Sequence, residues 1–204
     1  MRCIINLTTV KFRFIAFLII SSLSSFAQEG FTKSKYLGLE LGGSFTNFRT
    51  NELAVSGKNG FTIGISNEHV LRSFFSVKFS FVFERKGAVI SSSASNSNMF
   101  YIPPTRLNLN YLVIPVLFSV NSPMGFYFNA GPYVGFLPLS DFNYKQFDFG
   151  AVFGAGIRFM KTNKNIFEIT IKENLGLMNI RANDYTPRRN NTISLSFAYK
   201  FRRS

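Results

Sequence analysis

The sequence has no tryptophan, one histidine, one cysteine and ten acidic residues among 204. Each scarcity excludes something. A lone cysteine, Cys3, permits no internal disulfide and no thiolate metal cluster. A lone histidine, His69, cannot build a histidine metal centre, and the many serines have no second imidazole to serve as base. After the first thirty residues, no run approaches the ~20 unbroken apolar residues that a spanning helix requires. No linker divides the chain, and no internal repeat is evident. Acids are outnumbered by 23 basic residues, giving a formal net charge of +13.

What is abundant is phenylalanine, 26 of them, within a chain that is 46% hydrophobic. The longest apolar stretch comes early, in "FRFIAFLIISSLSSFA". It follows Arg2, Lys11 and Arg13 with no acid before it, then decays into small residues at Ser25-Phe26-Ala27. That layout predicts a secretory signal peptide over residues 1–27, cut before Gln28. An N-terminal anchor helix is the alternative, but the apolar run is short for one. Cleavage would remove Cys3 with three basic residues and no acid, leaving 177 residues, 28–204, at a net charge of +10. An exported chain is a poor candidate for nucleic acid despite that charge.

Beyond residue 28 the dominant pattern has period two, the mark of strands with one apolar face. Eight such runs are predicted: Lys35–Phe45, Gly60–Ser66, Phe74–Glu84, Arg106–Val120, Gly125–Leu137, the run "FDFGAVFGAGIRFM", Ile166–Leu177 and Thr192–Phe201. The connections alternate in length. Thr46–Asn59, Arg85–Thr105, Pro138–Gln146 and Met178–Asn191 are long; Asn67–Ser73, Asn121–Met124 and Lys161–Asn165 are short. An even strand count with this rhythm predicts an all-β, eight-stranded, antiparallel up-and-down transmembrane barrel, with short periplasmic turns and longer external loops.

The stretch "GAVFGAG" looks at first like a phosphate-binding loop. Such a loop needs a strand, a tight turn and a helix. Here Gly150, Gly154 and Gly156 alternate with Phe149, Ala151, Phe153 and Ala155, and another strand follows. The glycines therefore belong to one face of a strand.

Which face is inside follows from bulk. An eight-stranded barrel has an interior just wide enough for side chains. The apolar faces carry more Phe than it could hold, whereas the polar faces carry Gly38, Gly42, Ser44, Gly64, Ser76, Ser80, Gly131, Gly135, Ser194, Ser196 and Ala198. The expectation is polar and small inside, with Phe and Tyr outside against lipid. The alternative, an apolar interior, would make a soluble barrel for an apolar ligand. The inward faces also carry Glu40, Lys78, Glu84, Asp148, Arg158, Glu168, Lys172 and Lys200, four acids and four bases, expected to form an ion-pair network plugging the lumen. An ion path or a catalytic carboxylate pair is the functional alternative. Pro115 and Pro132 interrupt two runs, and a bulge or gap is expected there.

"YLVIPVLFSV", "FYFNAGPYVGFL", "FDFGAVFGAGIRF", "LGLMNI" and "ISLSFAYKF", in that order, resemble the PorT-like family of small outer-membrane β-barrel proteins. The resemblance implies a barrel in a Gram-negative outer membrane and a link to secretion through the founding member. It implies no catalytic motif and no cofactor. One departure is the ending: Phe201 is followed by "RRS", whereas such barrels usually end on an aromatic residue.

The expected role is non-enzymatic: a membrane scaffold presenting loops, or a subunit of an envelope or secretion assembly. A small pore and a lipid-modifying barrel enzyme are the alternatives. His69 is expected in a periplasmic turn, on the wrong side for lipid chemistry at the outer rim. Arg49, Lys58, Lys145, Arg181, Arg188 and Arg189 lie in or near the external loops. They are candidate contacts to lipopolysaccharide phosphates.

Overall fold

The structure, a computed structural model, describes residues 34–50, 55–90, 104–138, 144–159, 165–182 and 187–203. The expected signal segment, the "SSSASNSN" tract and most of the turn at 161–165 lie outside the described residues. Eight long strands close into one antiparallel barrel: β1 Ser34–Arg49, β2 Lys58–Arg72, β3 Phe75–Lys86, β4 Leu109–Asn121, β5 Phe126–Phe136, β6 Phe147–Phe159, β7 Asn165–Gly176 and β8 Arg189–Arg203. Each pairs with its sequence neighbour, and β8 closes on β1.

The register fixes the width. From Arg203 on β8, the paired positions run through Lys35, His69, Val77, Phe118, Ala130, Phe153 and Glu173, and return to β8 at Ile193, ten residues from the start. Eight strands with that stagger make a narrow barrel, tilted by roughly 35–45°, whose interior side chains fill.

Alternation holds along every strand. Leu39, Phe45, Phe61, Phe81, Phe128, Phe153, Leu195 and Phe197 point outward and are exposed, while Glu40, Ser44, Ser66, Ser80, Asn129, Thr170 and Ser196 are buried within. An outward apolar wall around a polar interior is the reverse of a soluble barrel. Closure pairs the strand backbones with one another, as hydrocarbon demands.

The glycines of β6 are explained by their partners on β5. Gly150 pairs with Tyr133, Gly154 with Asn129 and Gly156 with Tyr127. A methyl group on Gly156 would lie 2.6 Å from the Tyr127 hydroxyl, and one on Gly154 would lie 2.5 Å from Asn129 Oδ1. The small residues of one strand make room for the large inward residues of the next.

Two expectations need correction. Tyr36, Tyr111, Tyr127 and Tyr133 turn inward, not toward lipid. Each brings a phenol to a polar interior, where the hydroxyls of Tyr127 and Tyr133 find partners that lipid could not supply. The strands also run further than the apolar alternation: β2 continues to Arg72, shrinking its turn to Ser73–Phe74, so His69 is a strand residue and not a turn residue. Around Pro115 the expected interruption is present and takes the form of a gap without a bulge. Pairing to β3 lapses between Phe79 and Val82, pairing to β5 lapses between Pro115 and Phe118, and the register resumes unshifted on both sides.

Candidate functional site

The barrel holds two regions of concentrated charge: the lumen and the long-loop mouth. In the lumen the eight expected residues are joined by two that the expectation missed, Glu68 and Lys86. Three groupings stack along the axis.

Nearest the short-turn end, Arg158 on β6 donates from Nε to Glu168 at 2.7 Å and from Nη2 to Glu68 at 2.7 Å. Lys200 on β8 donates to both carboxylates, at 2.6 Å to Glu168. Ser76 adds a hydrogen bond to Glu68. Tyr127 donates to Glu168 at 3.3 Å, and its ring lies 4.7 Å beneath the Arg158 guanidinium. Two acids and two bases thus share one closed network, which is the condition for holding buried charge without a large penalty.

In the middle, Glu40 on β1 pairs with Lys172 on β7 and lies 3.8 Å from Lys78 on β3. Above it, Lys86 sits 3.4 Å from Glu84 and 3.7 Å from Asp148, with its ammonium 4.7 Å from the Tyr133 ring and 5.3 Å from Tyr111. Asn174 donates to Glu84 at 3.1 Å. Tyr133 at 3.0 Å and Asn190 at 2.8 Å donate to Asp148. The lumen therefore carries Glu40, Glu68, Glu84, Asp148 and Glu168 against Lys78, Lys86, Arg158, Lys172 and Lys200.

Between the middle and upper groups lies an apolar layer of Val82, Val113, Leu117 and Val152, all buried. The cavity left there, bordered by Lys172 below and by Glu84 and Asn174 above, is about 20 Å³, room for a single water.

The long-loop mouth is covered. Phe48, Ala88, Leu109, Leu137 and Ile180 pack into the same buried apolar cluster as the layer below. Backbone bonds tie the cover down: Lys145 N–H to Ile180 O and Leu137 N–H to Gln146 O, both 2.7 Å, and Leu107 N–H to Ala88 O at 2.9 Å. A small ladder of Val55–Ser56, Val89–Ile90 and Thr105–Arg106 adds to it.

The basic residues expected to meet lipid divide by position. Arg49 and Arg189 are cross-strand partners on β1 and β8, both exposed on the outer face above Phe45 and Ile193. Arg49 also donates to Gly176 O at 2.9 Å. Lys58 lies close enough to Arg85 and Arg106 to feel their charge. Lys145 and Arg181 are partly buried in the cover. Arg188 departs from the expectation: it is buried and donates to the Tyr144 hydroxyl at 3.0 Å, so it holds the cover together and does not face lipid.

His69 stands at the opposite end of the barrel, on the outer face, with no carboxylate of the described residues beside it. Among the described residues no group of His, Cys, Asp and Glu is arranged to hold a metal ion.

Comparison with known proteins places this architecture. The outer membrane protein OprG of Pseudomonas aeruginosa superposes over 84% of this chain and 97% of its own, with a TM-score of 0.56 at 9% identity. The attachment invasion locus protein Ail of Yersinia pestis, crystallised with the heparin analogue sucrose octasulfate, covers 82% and 99%, with a TM-score of 0.46 at 14% identity. AlkL, solved in lipid bilayers, covers 87% and 93%, with a TM-score of 0.48 at 11% identity. Among curated proteins none matches. A family model for the outer membrane protein β-barrel domain matches residues 26–181, and the chain, an eight-stranded barrel with an apolar outer wall, belongs to that outer-membrane family.

Proposed function

We propose that this protein is a closed, non-enzymatic scaffold of the outer membrane. Its loop cover is the surface that meets a partner in an envelope or secretion assembly, and its basic rim holds lipopolysaccharide phosphates. The observation that carries this reading is closure at two levels. An apolar layer leaves space for one water, and a second apolar cover shuts the mouth above it. A diffusion pore needs a continuous wet path, and neither level offers one. An enzyme acting on lipid needs an acid or base at the outer rim. The described acids are all buried in the lumen except Glu173, which stands among Phe153, Ile171 and Ile193 on the outer wall. The resemblance to PorT-like proteins supports the secretion partner.

Lipopolysaccharide enters through Arg49 and Arg189. Like charges directly opposite across a ladder repel. A phosphate between two guanidiniums turns that repulsion into charge-assisted hydrogen bonds. Lys58, Arg85 and Arg106 form a second basic cluster at the same rim.

The test is a planar-bilayer recording made alongside pull-downs. The expected result is no stepwise conductance, together with capture of an envelope protein that is lost when the loop bearing Ile180 is shortened. A steady conductance that survives in the shortened variant would overturn the scaffold reading.

A further inference from the structure

The short-turn rim carries charge of a different kind. On the outer face of the barrel, Lys35 on β1 is the direct register partner of His69 on β2 and of Arg203 on β8. The three side chains stand in a row across three adjacent strands. None has a hydrogen-bond or ion-pair partner among the described residues. Among the described residues no acid is within the row's reach: five of the six face the lumen, and Glu173, the sixth, is on β7 near the long-loop end. Immediately toward the membrane centre come Leu37, Phe201 and Tyr199, all exposed on the same wall. The row therefore marks the boundary where the apolar belt ends, and it presents positive charge there with no described acid opposite it.

Two cations and an imidazole in direct cross-strand register are unfavourable in isolation. Lumen cations in this same chain are each given a carboxylate. Among the described residues this row is given none, which leaves it open to a counterion from outside the chain. In barrels of this family the short turns face the periplasm, so the row lies at the headgroup level of the inner leaflet. We propose that Lys35, His69 and Arg203 form a binding site for the headgroup phosphate of an anionic phospholipid, with its acyl chains lying against Leu37 and Phe201. The site is separate from the lipopolysaccharide rim and would fix the barrel's depth from the periplasmic side.

The experiment uses the purified full-length barrel exposed to mixed phosphatidylglycerol and phosphatidylethanolamine vesicles, with retained lipid measured by native mass spectrometry. The expected result is a preference for phosphatidylglycerol of about fivefold, the scale of one basic residue near an anionic surface. It should fall to near parity in Lys35→Gln/Arg203→Gln and persist in Arg202→Gln, a neighbouring cation that pairs with inward-facing Tyr36 and shares its parity. Heat-modifiable mobility on SDS gels verifies that each variant is folded. Should the double variant fail to fold, Lys35→Gln alone must weaken the preference while Lys35→Arg preserves it. Equal retention of the two lipids by the unaltered protein overturns the proposal. So does a preference that survives loss of the row, or one that falls equally in Arg202→Gln, since that would reflect net charge alone. Capture of an acidic periplasmic protein by the row, without lipid selectivity, also overturns it.

Discussion

The lumen and the outer rims are built from the same strands, yet they treat charge in opposite ways. Inside, five acids meet five bases, each within ion-pair distance of an opposite charge. Outside, at both borders of the apolar wall, the described charge is almost entirely positive, and among the described residues Arg49, Arg189, Lys35 and Arg203 have no acidic neighbour. The difference teaches what each region faces. A lumen of low dielectric must neutralise itself, because an uncompensated charge there is costly. A rim facing lipid phosphates can leave its positive charge for the membrane to complete.

The strongest test of the lumen is Lys86→Met. Lys86 is fully buried and is the cation nearest both Glu84 and Asp148. Its loss leaves two buried carboxylates with amide and phenol donors only, and should cost about 3–5 kcal/mol. The midpoint of urea unfolding in micelles, followed by gel mobility, reads the change. Adding Glu84→Gln and Asp148→Asn should recover most of it. Destabilisation by the triple variant as large as that of Lys86→Met would mean that packing around Lys86, not charge, holds the upper lumen.

The lipid wall is tested by Leu39→Arg. Leu39 is 59% exposed on the same strand as Glu40. One position inward a charge is tolerated because it is paired; at Leu39 it would meet hydrocarbon, at about 2–4 kcal/mol. A neutral result would place Leu39 outside the membrane. A smaller effect, about 1–3 kcal/mol, is expected from Gly156→Ala, whose new methyl meets the Tyr127 ring and the Ile169 carbonyl. An unchanged unfolding midpoint would show that Tyr127 can move aside without loss.

Much of this was legible from alternation, and the failures share a cause. Glu40, Lys78, Asp148, Arg158, Glu168, Lys172 and Lys200 sit inside runs whose opposite face is apolar, so parity alone assigns them inward. Glu68 and Lys86 follow the parity of Ser66 and Glu84, but their outward neighbours are Asn67, His69 and Arg85. Past the apolar belt the strands continue, while the hydropathy that marks a strand stops. Inward Tyr127 and Tyr133 share the parity of Gly131, yet residue type argues for lipid. Only the register, which sets each opposite a glycine of β6, shows how they fit. Which cation meets which acid depends on the ten-residue stagger, a property of closure that no single strand carries.

The smallest effect on stability is expected where the effect on binding is largest. Arg49 and Arg189 face one another at the long-loop rim, and each lies beyond the apolar wall in high dielectric. Replacing both with Gln removes a mutual repulsion and one hydrogen bond, from Arg49 to Gly176 O. These are opposing contributions, each within about 1 kcal/mol. The unfolding midpoint in lipid-free micelles should therefore stay within about 0.5 kcal/mol of the unaltered protein. Lipopolysaccharide retention by the same variant should drop several-fold, and the unaltered protein's retention should weaken as salt rises, because exposed charges are screened. Lys86→Met gives the converse pattern, a large loss of stability whose size hardly changes with salt. If the rim variant lost stability without losing lipopolysaccharide, Arg49 would be a structural tie from β1 to β7, and the rim would belong with the lumen in how it treats charge.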